Sequence, residues 1–168
     1  MPDDFEGPEG PENLDQPPSF FPYDAEGRPI ERVDFGELVE VDVRDVISME
    51  SNGNASRFVL LSDGERQLPI MIGPFESMSI AMARESRIPE RPLTHDLLKN
   101  IILRLDSMLE RVVIDDLWNA TYYAKLYLRV KDGEVEIDAR PSDAIAMAIR
   151  FNAPIFVADG ILETAGED

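Results

Sequence analysis

The sequence contains no cysteine and a single histidine, His95. Disulfides and thiolate metal sites are therefore excluded, and any metal this chain binds is held by oxygen ligands with at most one imidazole. That donor set favours magnesium, manganese or calcium over a structural zinc. No stretch approaches the roughly 18 consecutive apolar residues of a membrane span. The first ten residues, MPDDFEGPEG, are acidic where a secretory signal is basic and then apolar. No membrane partner is expected, and the expected location is the cytoplasm. Basic residues are scarce as well: 16 Lys and Arg stand against 34 Asp and Glu, a net charge of −18 on 168 residues. Such a surplus repels nucleic acid at long range, so a nucleic-acid substrate requires a local concentration of positive groups. The same acidity suits a saline cytoplasm, which bears on habitat and not on fold. Gly53, Gly64 and Gly73 are isolated, so no phosphate-cradling loop or dinucleotide fingerprint is present, and any Ser-His-Asp set lacks a nucleophile elbow.

With 43 % hydrophobic residues, the chain can build one ordinary core. Prolines crowd its start, where Pro2, Pro8, Pro11, Pro17, Pro18, Pro22 and Pro29 alternate with acids and no period emerges. Residues 1–37 are read as a flexible acidic leader, with Phe20, Phe21 and Tyr23 as candidate anchors. Residues 38–165 are read as the folded domain. There, VEVDVRDVISM, SRFVLLS and QLPIMI read as strands, with Asn52-Gly53 and Asp63-Gly64 at the turns of a meander. FESMSIAMARES takes a helical period from Pro74 to before Pro89. A second helix is predicted over 93–109, with Leu97, Leu98, Ile101, Ile102, Leu105, Met108 and Leu109 on its apolar face. Strands return in ERVVIDDL, TYYAKLYLRV and EVEID, a third helix follows Pro141, and PIFVAD ends the fold as a strand.

The chain also repeats itself. Ile80-Ala81-Met82-Ala83 recurs as Ile145-Ala146-Met147-Ala148, and at the same offset Ser77 corresponds to Ser142, Ile72 to Ile137 and Pro89 to Pro154. The expected fold is thus α+β, with antiparallel-rich sheet built from two similar strand-strand-strand-helix halves and a connecting helix. Small residues in both IAMA runs suit close helix packing in the core.

Polar clusters fall at the three helix entrances: GPFES at 73–77, RPLTHD at 91–96 and DARPSD at 138–143. Ser142 reads as an N-cap with Asp143 in the first turn, and Thr94 with Asp96 repeats the arrangement. If the three entrances meet, they make a phosphodiester-cleaving site. Glu76, Asp96, Asp138 and Asp143 would surround a divalent metal, His95 would handle a proton, and Arg91 and Arg140, with Ser142, would meet phosphate. If they do not meet, the same residues serve as caps.

Taken in order and spacing, LPIMIGPFESMSIAMA, RPLTHDLLKNII, RVVIDDLWNATYYAKLYL and VEIDARPSDAIAMAIRFNAPIFVA resemble the bifunctional nuclease domain family over about residues 38–165. The resemblance implies cleavage of DNA and RNA, a compact α+β fold and a homodimer. Its motifs fall on Gly73, Pro74, Phe75 and Glu76, on Arg91 through Asp96, and on Asp138, Arg140, Pro141, Ser142 and Asp143. The expected function is a nuclease of low sequence specificity, assisted by magnesium or manganese. Its metal ligands would be Glu76, Asp138 and Asp143, and its working groups His95, Asp96, Asp138 and Asp143. The alternative is a non-catalytic dimeric module that binds a protein partner or a small anion.

Overall fold

In a computed structural model, residues 33–165 are described. Most of the expected leader, with Phe20, Phe21 and Tyr23, lies outside the described residues. Strands β1 (Leu38–Ser51), β2 (Asn54–Ser62) and β3 (Gln67–Ile72) form an antiparallel meander. In β3 every second side chain, Leu68, Ile70 and Ile72, is buried, as a strand with one covered face requires. Asn52 and Gly53 both take positive φ, 53° and 80°, closing the β1–β2 hairpin with the twist its strands need. Helices α1 (Pro74–Arg84) and α2 (Thr94–Arg104) follow. A second antiparallel meander comprises β4 (Met108–Trp118), β5 (Thr121–Val130) and β6 (Gly133–Ala139). The described chain ends with α3 (Pro141–Phe151), β7 (Ile155–Ala158) and α4 (Asp159–Thr164).

All seven strands join one sheet in the order β3-β2-β1-β7-β4-β5-β6. β7 lies between the two meanders, antiparallel to β1 and parallel to β4. The sheet is therefore mixed but mostly antiparallel, and the class is α+β. Among the described residues no helix is long and apolar enough to cross a membrane.

Alternation in β5 separates the faces. Ala124, Leu126 and Leu128 are buried in the core, whereas Lys125 bonds Asp115 at 2.6 Å and Tyr127 donates to Glu136 at 3.0 Å. Helix α3 packs on β4 and β5, and α1 packs on α3. Ile145, Ala146, Met147 and Ala148 are all buried, as is Ile80 of the matching run. The small residues let α3 lie close to sheet and helix together.

Two boundaries differ from the sequence expectation. Helix α2 stops at Arg104, and Met108 and Leu109 open β4 instead of closing a helix at 109. Asp106 takes φ 51°, and the Ser107 N–H returns to the Ile102 carbonyl at 3.1 Å, a left-handed C-terminal stop. The chain also does not end its fold at β7. Helix α4 follows it and buries Ile161 and Leu162 completely.

Candidate functional site

Two of the three long helices that matter here begin with proline. Pro74 and Pro141 occupy first-turn positions where a missing N–H costs nothing, which places the N-caps at Gly73 and Arg140. Ser142 is thus inside the first turn of α3 and is not its cap, contrary to the sequence reading. Thr94 is likewise the first residue of α2 and Leu93 its N-cap. Leucine has no side-chain acceptor, so only half a capping box forms: Asp96 Oδ2 accepts the Leu93 N–H at 2.9 Å.

The first turns of α1, α2 and α3 line one open cleft of about 480 Å³. Phe75, Glu76, Met78 and Ser79 come from α1, Pro92, Leu93, Thr94 and His95 from the start of α2, and Arg140 and Asp143 from the start of α3. Each helix N-terminus carries a partial positive charge of roughly half a unit and unpaired N–H groups, so their convergence favours an anion despite the acidic chain.

Within the cleft a hydrogen-bonded chain runs through His95, which is 8 % exposed. His95 Nδ1 lies 2.8 Å from Ser79 Oγ, and Nε2 lies 2.9 Å from Asp143 Oδ1. Arg140 donates to both Asp143 oxygens, at 2.7 and 3.0 Å, and reaches Glu76 Oε1 at 3.0 Å. Beneath the cleft, Arg150 is the buried partner. It donates to Asp96 Oδ1 at 2.7 Å, to Ser79 Oγ at 3.0 Å and to the Ala146 carbonyl at 3.1 Å. Gly73 leaves room for the Glu76 carboxylate, since a Cβ there would lie 2.3 Å from Oε2.

Glu76, His95, Arg140 and Asp143 therefore meet. Asp96 is turned to Arg150 and the Leu93 N–H and is not among the lining residues. Asp138 lies on β6 opposite Lys125, Arg91 is exposed one residue before the lining begins, and Ser142 is buried in the first turn of α3; none of the three lines the cleft. The donor set does not fit a preformed divalent-metal centre. Of the three carboxylates expected as ligands only Glu76 and Asp143 come together, and the guanidinium of Arg140 bonds both. Among the described residues no cluster of three acids or histidines is placed to hold a metal. Ser79 and Arg150 escaped the sequence reading. Their signal was spacing: Ser79 follows Glu76 by three residues and Arg150 follows Asp143 by seven, each on one helix face.

Burial by itself would raise the Asp96 carboxyl, but the Arg150 guanidinium and the Leu93 N–H outweigh it and hold it below the usual carboxylate range. Asp143 follows the same pattern, with Arg140 and His95 overcoming burial. A carboxyl held lower in the fold than in the unfolded chain stabilises the fold above the unfolded value, about 3.9 for Asp. That contribution disappears as pH falls through the folded value. Urea midpoints followed from neutral pH into acid are expected to fall through this window, and Asp96→Asn is expected to flatten the decline. An unchanged slope in the variant would remove Asp96 from the account.

The family model for the bifunctional nuclease domain matches residues 59–168. An uncharacterized protein of Mycobacterium tuberculosis strain H37Rv is 42 % identical over 105 residues, 62 % of this chain and 62 % of that protein. Bifunctional nuclease 1 of Oryza sativa subsp. japonica is 36 % identical over 94 residues, covering 54 % of this chain and 28 % of its own length. A bifunctional nuclease of Oryza minuta matches to the same extent. The matched region thus spans less than two thirds of each of these relatives.

Proposed function

Because this chain belongs to the bifunctional nuclease domain family, we propose that it hydrolyses phosphodiester bonds in DNA and RNA, with low sequence specificity, at the cleft between α1, α2 and α3. The observation that carries this reading is the convergence of three helix N-termini on one cleft beside Arg140. These groups recognise phosphate and carry no base information, which accords with low specificity.

Arg140 is 66 % exposed at its side chain and can exchange Glu76 for a phosphodiester while keeping Asp143, binding the phosphate through its remaining N–H groups. That exchange frees Glu76 to accept the proton of a water attacking phosphorus. The new P–O bond forms as the old one breaks, and the leaving oxygen takes up a proton from solvent while Glu76 later returns its own to bulk water. Asp143, anchored by His95, keeps Arg140 aimed at the phosphate. Phe75, 77 % exposed at the rim, offers a flat apolar surface to a neighbouring base. Magnesium or manganese enters the assay as a variable. Purified full-length chain is incubated with single-stranded and duplex DNA and RNA, with either metal and then with chelator. Cleavage supports the reading, and intact substrates under every condition overturn it.

Self-association belongs to the same reading. Helix α2 buries His95 and Ile102 yet leaves Leu97, Leu98, Ile101 and, at its C-cap, Leu105 exposed, and this exposed apolar face suits a second copy of the chain in a homodimer. Sedimentation is expected to give a dimer for the native chain and a monomer for Ile101→Glu. This face is also what favours the alternative of a non-catalytic dimeric module, which stands if dimers form and no substrate is cut.

A further inference from the structure

We propose that Ser79, held by Arg150, locks His95 as its Nε2–H tautomer, so that the ring offers a hydrogen-bond donor and keeps no lone pair for taking a proton from water. The inference deepens the nuclease reading, because it leaves proton abstraction to a carboxylate and makes Ser79 a positioning residue.

Three constraints fix the proton. A guanidinium has only donors, so Arg150 Nη2 at 3.0 Å makes Ser79 Oγ an acceptor on that side. The Asp143 carboxylate, already paired with Arg140, only accepts, so the 2.9 Å contact to His95 requires the hydrogen on Nε2. A neutral imidazole has one N–H. Its Nδ1 must then accept, and Ser79, whose hydroxyl proton has no claim from Arg150, supplies the donor at 2.8 Å. A second proton can enter only at Nδ1, after the serine hydroxyl has turned away. Both partners are fixed by their own elements: Ser79 is 4 % exposed within α1, and Arg150, on α3, also bonds Asp96 of α2.

With one histidine in the sequence, a long-range ¹H–¹⁵N spectrum of uniformly labelled full-length chain reports this ring alone. On the alkaline plateau of its titration, Nε2 is expected as a protonated pyrrole-type nitrogen and Nδ1 as a pyridine-type nitrogen shifted by an accepted hydrogen bond. A proton on Nδ1, or two averaged nitrogens, overturns the proposal. In Ser79→Ala the Nδ1 signal is expected to move to the position of a free pyridine-type nitrogen. Cleavage in this variant is expected to drop about tenfold, the scale of one hydrogen bond. An Nδ1 signal and a cleavage rate both unmoved by Ser79→Ala also overturn it. If neither form cleaves, the nuclease reading falls and the nitrogen shifts alone decide; if the variant does not fold, the native spectrum still decides.

Discussion

Alanine at position 140 is expected to lower phosphodiester cleavage roughly 10²–10³-fold, the usual cost of deleting a donor aimed at developing oxyanion charge. Among the described residues that line the cleft, Arg140 is the one cation, and it holds Glu76 and Asp143 within 3.0 Å. Without it the two carboxylates face an incoming phosphate unneutralised, so binding and turnover both suffer. Arg140→Lys is expected to recover only part of the loss, because an ammonium cannot span both carboxylates or grip phosphate through two parallel bonds. The side chain is largely exposed, so circular dichroism and the urea midpoint should change little. A variant that cleaves like the native chain would move the reaction away from this cleft.

The same residue shows how far sequence reasoning reached. Period-2 alternation and the Asn52-Gly53 turn disclosed the first meander because both are local properties, readable without any partner. The end of α2 was missed because its apolar pattern runs on through Leu105, Met108 and Leu109, while the stop depends on Asp106 adopting φ 51°. Helix α4 was missed because six residues, DGILET, are too few to show a period. The α3 cap was misplaced although the signal was present: proline in the first turn puts the cap before it, at Arg140 and not at Ser142. Glu76, His95, Arg140 and Asp143 could be singled out because polar residues at helix entrances are locally conspicuous. What chain order does not reveal is which way each side chain turns. Asp96 and His95 are neighbours on α2, yet one turns to Arg150 and the other to Asp143. Asp138 lies within two residues of Arg140 but on the strand opposite Lys125.

Arg150→Met is expected to cost about 3 kcal/mol of stability, at the lower end of what removing one partner of a buried ion pair costs. Its side chain is 6 % exposed, and its guanidinium joins all three site helices through Asp96, Ser79 and the Ala146 carbonyl. Methionine fills much of the volume but leaves the Asp96 carboxylate, 27 % exposed at its side chain, without its guanidinium partner and with the Leu93 N–H and water in its place. Lys99, which donates to the Arg150 carbonyl at 2.6 Å, is too committed to replace the lost charge. Domains of this size hold a margin of roughly 5–15 kcal/mol, so the variant should fold but denature at a clearly lower urea concentration. The double change Arg150→Met with Asp96→Leu is expected to lose less than the sum of the single changes, since no unpaired charge remains and what persists is the missing half-cap, about 1 kcal/mol. Strict additivity would mean that Arg150 and Asp96 are not coupled, and that the three helices are held together without this ion pair.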